Sequence, residues 1–305
     1  MAGFAEFMEQ ALYDAEHGFY ESGQAGRRGG HFITSPEVGP LFGAVVGRML
    51  DHRWNELGKP DPFTVIDAGA GPGTLARTVA KAEPGCTPAL RWVNVERSTA
   101  GRAAHTIGDS QADMPNRPIT GVIVANELLD NLPLRLFDSG GNEIGDQRPN
   151  PETRLTPRQD QACVWLSQAL SILDQGTVVV FDYMSTTEEM AARPWPEWLR
   201  TYRGHERGDD PWTAPGTQDI TGEVALDQLA AVCEPTRVTD QATWLRAHGI
   251  EELVAEGIAT WQSGAAQGDL AAVAGRSRAI EAEALLDPTG LGGFTVAEWD
   301  VPTPR

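Results

Sequence analysis

Apolar residues recur at helical spacing in two stretches of the N-terminal sixty residues. The first stretch predicts a helix over residues 4–13, where apolar side chains return every three or four positions. The second begins at Thr34, which supplies a hydroxyl cap, and its apolar face extends over residues 41–57. A Gly-rich stretch at 22–30 predicts a loop between the two helices. Residues 1–60 are therefore predicted to form a helical extension.

Short apolar runs rich in β-branched residues alternate with helical stretches in the next part of the chain. The predicted elements, in chain order, are strand 63–68, helix 74–82, strand 90–96, strand 121–125, helix 159–173 and strand 177–181. Such alternation is typical of a doubly wound, mainly parallel sheet with helices on both faces. We therefore predict an α/β fold whose core spans residues 61–183.

The segment 184–222 interrupts this alternation with aromatic residues, prolines and charges. It includes Trp195, Trp198 and Trp212, and we predict an inserted cap that packs through these rings. Residues 223–305 are predicted to complete the core with a helical elaboration. The patterns in that part are strand 236–239, a largely helical stretch at 241–286 and a closing strand at 293–301.

Charge and cysteine content narrow the class of protein. The chain of 305 residues has 24 basic and 43 acidic residues, and its net charge of −19 argues against nucleic acid or an anionic membrane as a partner. The three cysteines lie far apart and the six histidines lack metal-ligand spacing, so that neither a disulfide framework nor a metal site is predicted. The N-terminus lacks the features of a signal peptide, and we expect a cytoplasmic protein.

A Gly-x-Gly-x-Gly sequence begins immediately after the first predicted strand. Gly69, Gly71 and Gly73 stand at alternate positions, with Asp67 before them and Thr74 after them. A phosphate-binding P-loop would need a Lys followed by Ser or Thr, and a dinucleotide-binding loop would need Gly at position 74. The spacing favours S-adenosylmethionine (SAM), with Asp67 near the amino group of the cofactor. A tight turn without a ligand is the alternative.

Polar residues also follow the second and third predicted strands. Glu96 ends the second strand, where its carboxylate would accept hydrogen bonds from both ribose hydroxyls of SAM. Asn126 and Glu127 follow the third strand, and Asp130 lies three residues after Glu127, so that both acids are predicted on one side of a helical turn. We predict that these three residues face the transferred methyl group. A surface role for Glu96 and a helix cap at Asn126 are the alternatives.

Several further motifs resemble, in order along the chain, those of one protein family. They lie at residues 7–14, 17–20, 32–37, 126–130, 202–205 and 215–221. Together with the glycine loop, they resemble the MidA-like class I SAM-dependent methyltransferases, a family that includes an arginine methyltransferase of mitochondrial complex I assembly. The resemblance extends over nearly the whole chain, and several ordered motifs are more specific than one glycine loop.

The resemblance implies a seven-stranded, Rossmann-like class I methyltransferase fold with SAM as cofactor. It implies a protein arginine as the methyl acceptor and a respiratory complex subunit as a candidate partner. The predicted cofactor-binding residues are then Thr34, Asp67, Gly69, Gly71, Gly73 and Glu96, and those near the acceptor are Asn126, Glu127 and Asp130. Neither the motifs nor the composition indicates an oligomeric state.

Some positions depart from the family pattern. His31 stands where the family has Asp, Met184 stands where it has Gly, and the segments 97–120 and 138–160 are short for the family. These departures motivate a second hypothesis, a small-molecule O- or N-methyltransferase in which His31 or another histidine is the general base. A third hypothesis is a non-catalytic SAM-binding assembly factor, with the helical stretch 241–286 as its partner surface.

Overall fold

Helices and strands alternate along most of the chain, and the computed structural model describes residues 3–22, 34–203, 206–208, 210–264 and 270–302. The helices are α1 Phe4–Tyr13, α2 Ser35–Val38, α3 Pro40–Glu56, α4 Thr74–Ala82, α5 Thr99–Ala103, α6 Asp160–Ser171, α7 Thr187–Ala192, α8 Leu226–Val232, α9 Gln241–Ala247, α10 Ile250–Gly264 and α11 Leu270–Leu286. The strands are β1 Phe63–Ala68, β2 Leu90–Val95, β3 Asp109–Gln111, β4 Ile119–Asn126, β5 Arg135–Phe137, β6 Thr156–Arg158, β7 Leu173–Asp182, β8 Met184–Ser185, β9 Leu199–Arg203, β10 Glu206–Arg207, β11 Asp219–Gly222, β12 Val224–Ala225, β13 Arg237–Asp240 and β14 Thr295–Val301.

Seven strands form the central sheet in the order β3-β2-β1-β4-β7-β14-β13. The first five of these strands are parallel to one another, whereas β14 is antiparallel to both of its neighbours. This architecture confirms the predicted α/β fold class with a seven-stranded, mainly parallel sheet. The strand order reverses at β1, since β2 lies on one side of it and β4 on the other. Ligands of such sheets bind at the carboxyl ends of the strands beside this reversal.

Helices cover both faces of the sheet because successive strand residues point to opposite sides. In β4, Val122 and Val124 pack under α3, α4 and α9–α11, while Ile123 and Ala125 pack under α6 and α8. This confirms the two helical layers that the alternation of elements predicts. Among the described helices, none combines the length and the apolar character that crossing a bilayer requires.

A third apolar core lies outside the sheet. Phe4, Met8 and Leu12 of α1 share it with Trp195 and Trp198 of the segment 184–222. That segment also forms its own three-stranded sheet, in the order β10-β9-β11. The domain boundaries stay a prediction, but α1 and the predicted cap contribute to one core, whereas α3 belongs to the core of the sheet.

The predicted helix that begins at Thr34 is divided in the structure. Gly39 separates α2 from α3 in an extended conformation, because the ring of Pro40 disfavours a helical residue before it. The stretch 241–286, predicted as largely helical, contains the helices α9, α10 and α11. The three-residue strands β3, β5 and β6 were not predicted. The prediction for the loop 22–30 falls almost wholly outside the described residues, as do His31 and residues 204 and 205.

Candidate active site

A cavity of about 470 Å³ opens at the carboxyl ends of β1, β2 and β4. The predicted site residues that line it are Thr34, Asp67, Gly69, Gly71, Glu96, Asn126 and Glu127. Two predicted site residues lie elsewhere. Gly73 is the N-cap residue immediately before α4, and Asp130 is buried behind the wall of the cavity. The fold therefore brings residues from four separate parts of the chain to one cavity.

The glycine loop joins β1 to α4 through left-handed backbone. Gly69, Gly71 and Gly73 have φ angles of 72°, 50° and 74°, a region that side chains with a Cβ atom disfavour. A Cβ atom at Gly69 would lie 2.9 Å from the Leu128 side chain. At Gly71 it would meet no atom of the described residues within 4 Å. Gly69 is therefore required for packing, whereas Gly71 leaves its side of the loop open to the cavity.

The Glu96 carboxylate connects the glycine loop to the end of β2 by hydrogen bonds. One carboxylate oxygen accepts the Gly71 N–H at 2.9 Å, and the other accepts the Ser98 N–H at 2.8 Å. Burial raises the pKa of Glu96, and the two N–H groups act in the opposite direction. Each oxygen keeps a further lone pair. The carboxylate can therefore hold the loop and still accept two ligand hydroxyls.

His105 contacts the same loop from the other side, which the sequence analysis missed. Its Nε2 lies 2.9 Å from the Gly71 carbonyl oxygen, and its Nδ1 lies 2.8 Å from the Ser110 hydroxyl. A carbonyl only accepts, so that Nε2 carries the proton. The contact joins residues that are 34 positions apart. No local pattern signals such a contact.

Asp67 is the penultimate residue of β1, and its buried carboxyl lines the cavity, with 3% of the residue's surface exposed. Its Oδ2 atom has no hydrogen-bond partner among the described residues. Burial raises the pKa of Asp67 to about 7, and the charge of Glu96 acts in the same direction. An unpartnered buried carboxyl oxygen is costly, and a cationic group of a ligand would satisfy it.

Glu127 takes a strained conformation at the end of β4. Its φ angle is 50°, and its N–H donates to the Phe181 carbonyl oxygen at 2.9 Å. The Asn126 amide donates to the Glu127 carboxylate at 3.0 Å. The predicted helical turn that presents Glu127 and Asp130 on one side is wrong, because Glu127 precedes a 3₁₀ turn at Leu129–Asn131 that contains Asp130. Left-handed backbone at a non-glycine residue is frequent at functional sites.

The side chain that accepts the N–H groups of this 3₁₀ turn is that of Asp182, and not that of Asn126, for which a helix cap was the alternative role. The Asp182 Oδ2 atom accepts the N–H groups of Leu129 at 2.9 Å and of Asp130 at 3.4 Å. Asp182 is fully buried, and burial raises its pKa to about 7. Asp182 was not predicted as a site residue, although it ends an apolar strand, the same signal that identified Glu96.

Asp219 of β11 completes a group of three buried aspartates behind Glu127. It accepts hydrogen bonds from the Tyr20 hydroxyl at 3.0 Å and the Asn131 amide at 3.1 Å. Burial raises the pKa of Asp219 to about 7, that of Glu127 to about 8 and that of Asp130 well above its usual range. Within the described part of the chain, no Lys or Arg forms an ion pair with any of these four carboxyls.

Two tyrosines from the N-terminal segment also line the cavity. Tyr13 and Tyr20 stack with ring centroids 5.4 Å apart, and the Arg97 guanidinium lies 4.1 Å from the Tyr13 centroid. Arg97 also pairs with Glu9 of α1. The Tyr13 hydroxyl donates to the Asn131 carbonyl at 3.2 Å. These contacts place α1 and the residues after it against the acidic end of the cavity.

The chain is similar to known proteins, and one family model matches most of its length. The profile of a family described as S-adenosyl-L-methionine-dependent methyltransferases matches residues 45–152 and 144–242. A Burkholderia thailandensis protein bound to S-adenosyl-homocysteine superposes with a TM-score of 0.79 at 24% identity, over 99% of this chain and 88% of that one. A native crystal structure from the same organism gives a TM-score of 0.78 at 23% identity. At these identities the structural likeness shows the fold.

Curated relatives are named protein arginine methyltransferase NDUFAF7, mitochondrial. The Danio rerio protein is 32% identical over 74% of this chain and 67% of its own length, and the Mus musculus protein is 32% identical over 81% and 70%. The Drosophila melanogaster homologue is 43% identical over 77 residues, which are 25% of this chain and 18% of that protein. The expectation of a cytoplasmic protein is therefore wrong, because these relatives are named as mitochondrial proteins.

Proposed function

The chain belongs to the MidA-like family of class I SAM-dependent methyltransferases, and we propose that it transfers the methyl group to an arginine side chain of a protein. The observation that carries this proposal is the acidic end of the cavity, where Glu127 lies in front of three buried aspartates. A guanidinium has a pKa above about 12 and is attracted to such a wall. The names of the curated relatives support the same acceptor.

The cavity fits SAM, which supplies an electrophilic methyl group when it is bound. Gly71 leaves the cavity side of the loop open, Glu96 keeps a lone pair on each oxygen, and Asp67 has an unpartnered oxygen. We assign Asp67 to the amino group and Glu96 to the ribose hydroxyls. Thr34 lines the same cavity, and Gly73 shapes the loop at the start of α4.

Glu127 is the residue that we assign to the acceptor nitrogen. The Asn126 amide orients its carboxylate, and burial raises its pKa to about 8. A carboxyl that titrates near neutral pH can orient the guanidinium and accept the proton that its nitrogen loses on methylation. Asp130 lies behind the cavity wall, so that we assign it a positioning role through the turn at Leu129–Asn131.

Transfer of a labelled methyl group tests the acceptor. The purified chain is incubated with methyl-labelled SAM and a lysate of its own host, and the labelled protein is hydrolysed to amino acids. We expect the label in methylated arginine. Label found only in a protein-depleted extract contradicts this acceptor and supports the small-molecule hypothesis. The chain belongs to a family of methyltransferases and is therefore an enzyme. The hypothesis of a non-catalytic assembly factor is not retained.

The role of Glu127 is tested by Glu127→Gln, which keeps the shape of the side chain and removes its charge. Loss of a general base typically slows a reaction by about a hundredfold or more, and we expect that loss at saturating SAM. The matched control is Glu283→Gln, because Glu283 is exposed on α11. Full activity of Glu127→Gln would remove Glu127 from the mechanism.

A further inference from the structure

The residues that line the cavity carry a marked excess of negative charge. Among the described lining residues the acids are Glu37, Asp67, Glu96, Asp113 and Glu127. Arg97 is the basic residue in the same described lining, and its guanidinium already pairs with Glu9 of α1. The field inside the cavity is therefore negative, and low-dielectric walls strengthen such a field.

Buried oxygens without partners lie in and behind this wall. Asp67 Oδ2, Asp130 Oδ1 and Asp219 Oδ2 are buried and have no hydrogen-bond partner among the described residues. Asp67 lines the cavity. Asp219 lies behind the lining and accepts hydrogen bonds from Tyr20 and Asn131, which both line the cavity. A folded protein rarely leaves several buried carboxyl oxygens unsatisfied, so that these atoms point to a positive charge in the cavity.

Asp67 is assigned to the amino group, which SAM and S-adenosylhomocysteine both carry, and it therefore favours both ligands alike. We infer that Glu127, Asp130 and Asp219 make the cavity select its cofactor by charge, so that it binds SAM more tightly than S-adenosylhomocysteine. When the methyl group leaves, the electron pair of its bond to sulfur stays on sulfur, and a cationic sulfonium becomes a neutral thioether. The acceptor nitrogen supplies the electron pair of the new bond to carbon. The two ligands share every other charged group, so that their affinity ratio isolates the charge on sulfur. Weaker binding of the thioether favours release of the product.

Proton release accompanies this selectivity. Burial raises the pKa values of Asp67, Asp182 and Asp219 to about 7 and that of Glu127 to about 8, so that near pH 7 each carboxyl is protonated part of the time. A nearby cation favours the charged form of a carboxyl, and its binding expels protons. A neutral thioether expels fewer. The preference for SAM therefore grows as pH rises from 6 to 8.

No charged side chain described near the four buried carboxyls supplies the positive charge that would stabilise their ionised forms. The titratable groups that act on the four carboxyls Glu127, Asp130, Asp182 and Asp219 are Tyr13 and Tyr20 from the N-terminal segment, Glu37 from α2 and Tyr183 after β7. Glu96 and Arg97 after β2 act on Tyr13. The pKa values of the three tyrosines are raised by burial, so that these side chains stay neutral near pH 7. The two acids add to the negative field, and Arg97 is paired with Glu9.

Calorimetry with SAM and S-adenosylhomocysteine tests the inference. Each ligand is titrated into the full chain at pH 7 in phosphate and in Tris, because the two buffers differ in their heat of ionisation. We expect SAM to bind about tenfold more tightly, the size of one partly screened charge interaction, and to release more protons than the thioether. Equal affinities with equal proton release overturn the inference. No acceptor is present, so that the result is independent of the arginine proposal.

Two variants locate the charge that matters. Glu127→Gln removes a charge that lines the cavity, and Asp219→Asn removes one behind it while keeping an oxygen for Tyr20 and Asn131. We expect each to lower the affinity for SAM several-fold and to leave the affinity for the thioether unchanged. Glu283→Gln on α11 is the control and keeps the ratio of the wild type. If both affinities fall equally in Glu127→Gln, the carboxyl shapes the cavity without selecting charge, and the inference fails.

Discussion

Gly71 has left-handed backbone and lines the open cavity. Its φ angle of 50° costs an alanine about 1 kcal/mol, but no described atom stands within 4 Å of the added Cβ. We expect Gly71→Ala to fold with that small loss of stability and to bind SAM at least about tenfold more weakly, because its methyl group occupies the cofactor's side of the loop.

Gly58 provides the matched control for this prediction. It has a φ angle of 76° and equally open surroundings, but it follows α3 and lies outside the cavity. Gly58→Ala should show the same loss of stability by thermal unfolding and normal SAM binding by calorimetry. Equal SAM affinities in both variants would show that the loop at Gly71 does not contact the cofactor.

His105 is predicted to position the loop through one donated hydrogen bond. A glutamine side chain can donate to the Gly71 carbonyl from a similar distance, whereas alanine cannot. We therefore expect His105→Ala to weaken SAM binding several-fold and His105→Gln to restore most of it. Calorimetry checks both, and an Ala variant with unchanged affinity rules out this positioning role.

The residues that sequence reasoning identified are those whose role follows from their local neighbours. Asp67, Gly71 and Glu96 were found because each stands at a strand end or in the glycine loop, and all three line the cavity. His105 and Asp219 were missed because their contacts join distant parts of the chain, 34 positions apart in one case and 199 in the other. Contacts between such distant residues cannot be predicted from the local spacing of residue types.

The N-terminus of α3 depends on a residue from the opposite end of the chain. Leu41 donates its N–H to the Glu281 carboxylate at 2.8 Å, and a Cβ atom at Gly39 would lie 2.2 Å from that carboxyl carbon. Pro40 has no N–H, so that this one bond satisfies a buried donor at the helix start. The close packing of Glu281 explains why glycine separates α2 from α3.

Glu281→Ala is expected to destabilise the fold by about 1–3 kcal/mol, since it leaves a buried N–H without an acceptor. Glu281→Gln keeps an oxygen for Leu41 and should lose less. Urea unfolding measures both, with Glu283→Ala as the exposed control on the same helix. A loss no greater than that of the control would mean that water replaces the carboxylate at this helix start.

Element prediction succeeded where an apolar period extends over several residues. The four strands predicted between residues 63 and 181 all lie in the central sheet, because their β-branched runs are buried on both faces. Strand β3 has the sequence Asp109-Ser110-Gln111, which carries no apolar alternation, and its pairing with β2 alone defines it. The apolar strands of the sheet could therefore be predicted from the sequence, whereas the polar edge strand β3 could not.

The whole molecule combines a net charge of −19 with a group of acids buried inside it. Each buried acid has a higher pKa in the folded chain than in the unfolded chain, so that the folded state binds more protons between about pH 4 and pH 7. The stability that these acids contribute is complete below their unfolded pKa and is lost as pH rises through the folded values. General repulsion among the surface acids has the same sign.

We therefore expect the ligand-free protein to unfold at a higher temperature at pH 6 than at pH 8, by roughly 3 °C if the difference reaches about 2 kcal/mol. SAM should reverse part of this trend, because its cation stabilises the ionised carboxyls that destabilise the fold at pH 8. The shift in Tm at a fixed excess of SAM is then larger at pH 8, and the shift with the thioether is nearly the same at both pH values. A Tm that falls on acidification over this range would contradict the raised pKa values of the buried acids, because carboxylates with lowered pKa, such as Asp138 and Asp240, are ionised in the folded and the unfolded chain throughout it.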